Sequence, residues 1–156
     1  MAMIQGASVW EQQLYDHVTA HGRTEGEILE AYQDLAQSSD SPAFAYLARI
    51  ILDDERRHHQ LLDDLAETIR TTAELSGEPT PIPALGRLRE DRQRILAETE
   101  RLLAFEEEDN RDLERLAKEL HDVRNTTVWQ LVVRIMQLDN EKHRRILEFV
   151  RDRARE

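Results

Sequence analysis

The spacing of apolar residues predicts a long first helix. From Trp10 to Leu35 they recur at alternating steps of three and four, which is the period of one helix face. Ser8 with Glu11 three residues later has the pattern of a capping box and predicts the start of this helix. Gly22 weakens its middle, so a break there stays open. The positions predicted to face inward are Trp10, Leu14, Val18, His21, Glu25, Ile28, Tyr32 and Leu35.

Loop-forming residues mark the second helix and its end. Ser41 suits a helix N-cap and Pro42 suits the first helical position, so the second helix is predicted from here to about Leu75. Residues 76–83 hold three prolines and a glycine, which predicts a crossover between two halves of the chain. The inward positions of the second helix are Leu47, Ile51, Asp54, His58, Leu61 or Leu62, Leu65 and Ile69.

Two further helices follow the crossover. The third is predicted to begin near Pro83 or Ala84, and the fourth after Asn125 and Thr126. Together the four segments predict an all-α fold. The inward positions of the third helix are Leu88, Asp91 or Arg92, Ile95, Glu98, Leu102 and Phe105; those of the fourth are Val128, Val132, Ile135, Asp139, His143, Ile146 and Val150.

The two halves nearly repeat each other. An offset of 73 places residues 25–32 on residues 98–105, and an offset of 85 places His58 on His143. This predicts one helical hairpin used twice, with a polar site between the copies. The offsets also give the second copy 12 more residues between its helices. Because Leu113, Leu116 and Leu120 keep helical spacing, we expect an extended third helix or a short extra helical segment before the last helix.

Composition narrows the chemistry. The chain has 156 residues and no cysteine, so disulfides and thiolate metal sites are excluded, and one domain covering 1–156 is expected. The net charge of −11 argues against nucleic-acid or anionic-membrane partners and favours attraction of cations. No apolar run approaches the roughly 20 residues of a membrane span, and the N-terminal residues lack a signal-peptide pattern, so a cytoplasmic location is expected.

Several acidic and histidine residues lie on inward seams that are otherwise apolar. Glu55 and His58 share one helix face, since they are three residues apart. Burying carboxylates beside imidazoles is costly unless a cation neutralises them, and iron, manganese and zinc take such ligands. Pairing with arginine is the alternative, and residues 106–109 are expected to form a solvated face. The seam set is Glu25, Asp54, Glu55, His58, Glu98, Asp139, Asn140 and His143; the arginines are Arg49, Arg57, Arg94 and Arg134.

These residues resemble the ferritin-like superfamily, in particular its rubrerythrin-like branch. The chain has a glutamate seven residues before Tyr32, and then residues 54–58, which contain the E-x-x-H of that family. The resemblance implies an antiparallel four-helix bundle with a di-metal carboxylate centre. By the same resemblance, the single carboxylate ligands are Glu25 and Glu98, and the E-x-x-H pair is Glu55 and His58.

The fourth helix departs from the family pattern. It carries Asn140 where a second bridging glutamate is expected, while His143 is retained. Asp139, one turn before His143, is the substitute ligand. The site then holds two metals unevenly, holds one, or is a relic, and all three readings stay open. Without cysteines, the chain has no rubredoxin-like segment to deliver electrons.

The resulting functional expectation is a non-haem metal-binding protein, with di-iron or manganese as the expected cofactor and zinc as a third option. Such a centre can support oxidase, peroxidase or ferroxidase chemistry, and a homo-oligomer, most simply a dimer, is expected. Two alternatives stay open. One is a non-catalytic helical scaffold or dimerisation protein with a degenerate metal site. The other is a hemerythrin-like carrier, suggested by His17, His21 and Glu25 at four-residue spacing.

Overall fold

The computed structural model describes residues 3–75, 77–83, 91–121 and 123–156, and within them the chain is all-helical. Its helices are α1 (Val9–Ser38), α2 (Pro42–Ala73), α3 (Arg92–His121) and α4 (Thr127–Arg155). The predicted all-α class is therefore confirmed. The chain divides into two compact units, Met1–Ala84 with α1 and α2, and Leu85–Glu156 with α3 and α4. Among the described helices, none combines the length and apolarity needed to cross a membrane.

The predicted cap starts α1. The Ser8 hydroxyl accepts a hydrogen bond from the Glu11 backbone N–H at 3.2 Å, and a Glu11 carboxylate oxygen accepts one from the Ser8 N–H at 2.7 Å. The capping box is thus confirmed. The helix then runs unbroken to Ser38, so the break considered near Gly22 does not occur. Hydrogen bonding on both sides of the glycine keeps the segment helical, at a cost of about 1 kcal/mol relative to alanine.

In the first unit α2 begins as predicted and packs along α1. The Ser41 hydroxyl caps the helix by accepting from the Phe44 N–H at 3.4 Å, and Pro42 takes the first position. Along the helix pair, Gly22 lies beside Leu62 and Gly26 lies beside His59, so later residues of α1 meet earlier residues of α2. The buried residues of this unit include Val18, Gly22, Ala45, Ala48, Leu52, Ile69 and Ala73, many of them small.

The described residues of the second unit form no separate extra helical segment before α4. Residues 111–121 are the last turns of α3, so the third helix continues through this stretch, as the extended-helix alternative expected. With 30 residues, however, the described helix is no longer than α1. Its Leu113 is buried, but Leu116 is exposed. The predicted start near Pro83 or Ala84 falls at the edge of residues 84–90, which lie outside the described part. Before α4, the Thr126 hydroxyl oxygen lies 2.9 Å from the carbonyl oxygens of both Leu120 and Val123, and either of them can accept its one hydrogen.

Burial within each unit changes the register of the repeat. Val18 and Gly22 are buried in α1, and Thr99 and Leu103 are buried in α3, each 81 positions later. An offset of 81 carries Glu25 onto Glu106 instead of Glu98. The offset for the second helix of each pair remains 85. The spacing between paired helices along the chain therefore differs between the two halves by four residues, about one helical turn, instead of the predicted 12.

Candidate metal site

Three of the six candidate ligands meet in the first unit. Glu25 comes from α1, while Glu55 and His58 come from successive turns of α2, and one donor atom from each lies within 4.8 Å of the others. The E-x-x-H spacing places the last two on one face of α2, as the sequence indicated. The small residues at the helix contact, including Gly22 and Ala48, bring α1 close enough for its carboxylate to join them.

Each carboxylate of the cluster contacts an imidazole of its own helix. Glu25 Oε1 lies 3.4 Å from His21 Nε2, and Glu55 Oε2 lies 3.6 Å from His58 Nδ1. The carboxylate side chains are only 12% and 20% exposed, whereas both imidazoles are 55% exposed. Glu25 Oε2 is buried, and no group of the described residues donates a hydrogen bond to it. The cluster therefore keeps one carboxylate oxygen inside the protein without a fixed N–H or O–H donor, open to a proton shared with Glu55 or to a cation.

The neighbouring Glu25 perturbs the pKa of the Glu55 carboxyl group. A hydrogen bond shared with Glu25, burial, and the negative charge of Glu25 raise the pKa of the Glu55 carboxyl, and the nearby His58 offsets only part of this. A hydrogen bond between two carboxyl groups needs a proton on one of them. The pair therefore takes up a positive species, either a proton or a metal ion, more readily than isolated carboxylates do.

The donor set suits a divalent transition metal. Two donors bound at about 2.2 Å to one ion lie at most about 4.4 Å apart, so donors within 4.8 Å need only small rotations to share an ion. Two carboxylates neutralise the two charges of the ion, and an imidazole adds a nitrogen ligand. Carboxylate and imidazole together suit iron, manganese and zinc.

The arginine alternative finds no support at this cluster. None of Arg49, Arg57, Arg94 and Arg134 forms an ion pair with Glu25 or Glu55 within the described residues. The nearest cationic candidates are the imidazoles, which are charged only when protonated. Neutralisation by a fixed guanidinium is therefore absent from the cluster as the structure describes it.

The other three candidate ligands lie in the second unit and do not form a comparable group. Glu98 is exposed and pairs with Arg101 of its own helix at 2.7 Å. Asp139 is about half exposed and pairs with Lys142. His143 Nδ1 lies 3.3 Å from Glu106 Oε1 on α3. The structure therefore gives His143 a carboxylate neighbour, but a different one from the glutamate that the sequence repeat suggested.

Sequence reasoning missed two acidic residues of α3. The expected solvated face is confirmed for residues 107–109, which are exposed. Glu106 is half-buried and contacts His143, and Asp109 accepts a hydrogen bond of 2.6 Å from the Asn140 side chain. Asn140 is 7% exposed, so its amide serves the contact between α3 and α4. The available signal was a spacing along the chain. Thr99 and Leu103 precede Glu106 by the same numbers of residues as Val18 and Gly22 precede Glu25.

A separate groove lies between α1 and α2. It has a volume of about 470 Å³, and its lining includes Tyr15, Thr19, Gly22, Arg23 and His59. None of the three cluster residues lines it. The groove is open and mixed in polarity, whereas the cluster converges three ligand atoms on one point, so the metal chemistry is assigned to the cluster.

Comparison with known proteins adds no relative. No protein-family model matches the chain, and neither a curated protein nor a solved structure matches it significantly. The resemblance to the ferritin-like superfamily therefore rests on the residues themselves.

Proposed function

We propose that this protein binds a divalent transition metal, iron or manganese, at Glu25, Glu55 and His58. The observation that carries the proposal is the half-buried carboxylate pair. It holds a buried oxygen without a donor and a glutamate whose pKa is raised, and an imidazole lies within the same 4.8 Å. A cation at this point neutralises both carboxylates and supplies the missing partner of Glu25 Oε2.

The nature of the ligands favours iron or manganese and leaves zinc as a competitor. Oxygen donors suit manganese and ferrous iron, while an imidazole suits iron and zinc. With three protein ligands, positions on the ion stay open for water, oxygen or a peroxide. We propose oxidase, peroxidase or ferroxidase chemistry as the activity of the iron-loaded protein, on the strength of that open coordination.

Metal titration tests the binding site directly. We expect the purified, metal-free protein to bind Mn²⁺, or Fe²⁺ without oxygen, and Glu55→Ala and His58→Ala each to weaken binding at least about tenfold in calorimetry. Glu98→Ala is the matched control, because this exposed glutamate pairs only with Arg101 among the described residues. Unchanged affinity in both site variants would remove the proposed site.

For the whole chain we propose the antiparallel four-helix bundle of the ferritin-like superfamily. Each unit supplies a pair of long helices, and each exposes large apolar side chains, such as Ile28 and Ile51 in the first and Leu102 and Ile146 in the second. Burial of these side chains would stabilise such a bundle. A second ion near His143 stays a prediction. If it exists, Glu106 is a better carboxylate ligand than Glu98, because Glu106 already contacts His143.

A non-catalytic scaffold or dimerisation protein is the second candidate. The exposed apolar side chains favour it, since large apolar patches on a protein surface mark sites of association. Metal binding separates the two candidates: a scaffold gives no specific uptake of Mn²⁺ or Fe²⁺, and its stability does not respond to either ion. The hemerythrin-like alternative has no added support, since His17 is exposed.

A further inference from the structure

His21 lies beside the cluster but is not one of its three proposed ligands. It precedes Glu25 by one turn on α1, and its Nε2 atom lies 3.4 Å from Glu25 Oε1. Residues four apart on a helix face the same way, so this contact needs no tertiary rearrangement. The imidazole is 55% exposed, while the carboxylate that it contacts is 12% exposed.

The two oxygens of Glu25 have different surroundings. Oε1 faces the imidazole of His21, whereas Oε2 is buried and receives no hydrogen bond from the part of the chain that the structure describes. When an N–H donor occupies one oxygen of a carboxylate, the group is fixed in orientation and presents its other oxygen to an ion. On this basis we propose that His21 positions Glu25 for metal binding by donating from Nε2 to Oε1, which leaves Oε2 as the ligand atom.

The geometry distinguishes a positioning residue from a ligand. The atoms that lie within 4.8 Å of one another come from Glu25, Glu55 and His58, and no atom of His21 belongs to that group. The contact of His21 with the cluster is the one to Glu25. The two imidazoles near the carboxylates thus have different roles, although they are equally exposed: His58 binds the ion, and His21 orients a carboxylate. This assignment rests on the proposed metal site.

Substitution of His21 in the full chain tests the assignment with Mn²⁺ as the probe. We expect His21→Ala to weaken Mn²⁺ binding about tenfold, as loss of an outer hydrogen bond to a ligand does. His21→Gln should retain most of the affinity, because its side-chain amide can donate from a similar place. His17→Ala, one turn earlier on the same helix and exposed, is the matched control and should bind as the wild type does.

Pulsed electron paramagnetic resonance of the bound Mn²⁺ adds a readout that a change of stability would not move. We expect one directly coordinated imidazole nitrogen in the wild type and still one in His21→Ala and His21→Gln. A second nitrogen that disappears in both variants would make His21 a ligand and overturn the positioning role. Wild-type affinity in His21→Ala would also overturn it, while the metal site would stand.

The remaining outcomes separate this inference from the proposed function. If the wild type does not bind Mn²⁺ specifically, the metal site fails and the role of His21 falls with it. If His21→Ala does not fold by circular dichroism, His21→Gln and His21→Leu decide, because leucine fills the site without a donor. Equal affinity in those two variants would refute the donated hydrogen bond.

Discussion

Replacing Glu55 with glutamine should stabilise the metal-free protein while it weakens metal binding. In the metal-free state, Glu25 and Glu55 lie together, and the hydrogen bond, burial and charge of Glu25 raise the pKa of Glu55. Glutamine keeps the shape of the side chain and can donate a hydrogen bond to a carboxylate. The variant therefore removes the repulsion between two carboxylates without leaving a cavity.

The size of the effect follows from the separation of the two groups. One oxygen of each group lies within 4.8 Å of the other, and at that distance two unit charges repel by about 0.9 kcal/mol in a water-like dielectric and by about 3.5 kcal/mol at an effective dielectric of 20. Glu55 is 20% exposed, so its environment lies between these limits. We expect a gain of about 1–2 kcal/mol at pH 7. For a chain of this size each kcal/mol raises Tm by about 2–4 °C.

Calorimetry of chelator-treated protein at pH 7 measures this gain. Glu98→Gln is the matched control and should gain nothing, because it loses an exposed ion pair with Arg101. In saturating Mn²⁺ the order should reverse, with the wild type more stable than Glu55→Gln. A metal-free Glu55→Gln protein with a Tm equal to or below the wild type would refute the electrostatic reasoning.

Four further predictions concern pH and packing. Because the pKa of Glu55 is raised above 4.5, the folded state binds more protons than the unfolded state. Protonation of Glu55 therefore stabilises the metal-free protein below pH 4.5, and this stabilisation is lost as pH rises through the folded pKa. Calorimetry should find a weaker dependence of stability on pH in Glu55→Gln. Gly22→Ala should stabilise by about 0.5–1 kcal/mol in urea unfolding, because an added Cβ meets its nearest neighbour at 4.0 Å. Gly6→Ala should destabilise, since Gly6 has φ +88° and an added Cβ would lie 2.9 Å from a carbonyl oxygen; equal effects at the two glycines would contradict this. Asn140→Ala should destabilise by about 1–2 kcal/mol in the same assay, because Asp109 loses its donor, and an unchanged midpoint would remove the role given to this hydrogen bond.

Helix boundaries were the part of the fold best predicted from the sequence. Ser8 with Glu11 and Ser41 with Pro42 start α1 and α2 where the capping patterns placed them. These signals involve residues within one turn of each other, so tertiary packing does not alter them. The end of α2 differed by two residues, Ala73 instead of Leu75, as helix ends commonly do.

The pairing register of the second unit could not be predicted by the same means. The repeat was aligned by side-chain type, which matched Glu25 with Glu98, whereas the buried positions match Glu25 with Glu106. A helix contact is set by the residues that become buried in it, here Gly22 in α1 and Leu103 in α3. The types of acidic residue around them carry little information about register, because acids are frequent on every face of these helices.

The candidate site was predictable where its geometry is local. Glu55 and His58 are three residues apart on one helix, so their joint placement follows from helix geometry. Glu25 joins them through a connection of only three residues between α1 and α2, which leaves little freedom in the pairing. His21 was placed on the same seam, but its contact with one particular oxygen of Glu25 depends on side-chain rotamers, which a sequence pattern does not specify.

A cation at this site would couple stability to metal concentration. In the metal-free first unit, a carboxylate pair lies at the contact of two helices. The buried residues of these helices are alanine, glycine, threonine and a few larger aliphatic residues. A ligand that binds only the folded state at 100 times its Kd adds about 2.7 kcal/mol, which is comparable to the repulsion estimated for that pair. The ion would thus offset the cost of its own ligands. The same two carboxylates that destabilise the metal-free helix pair would then make its folded state the one that retains metal.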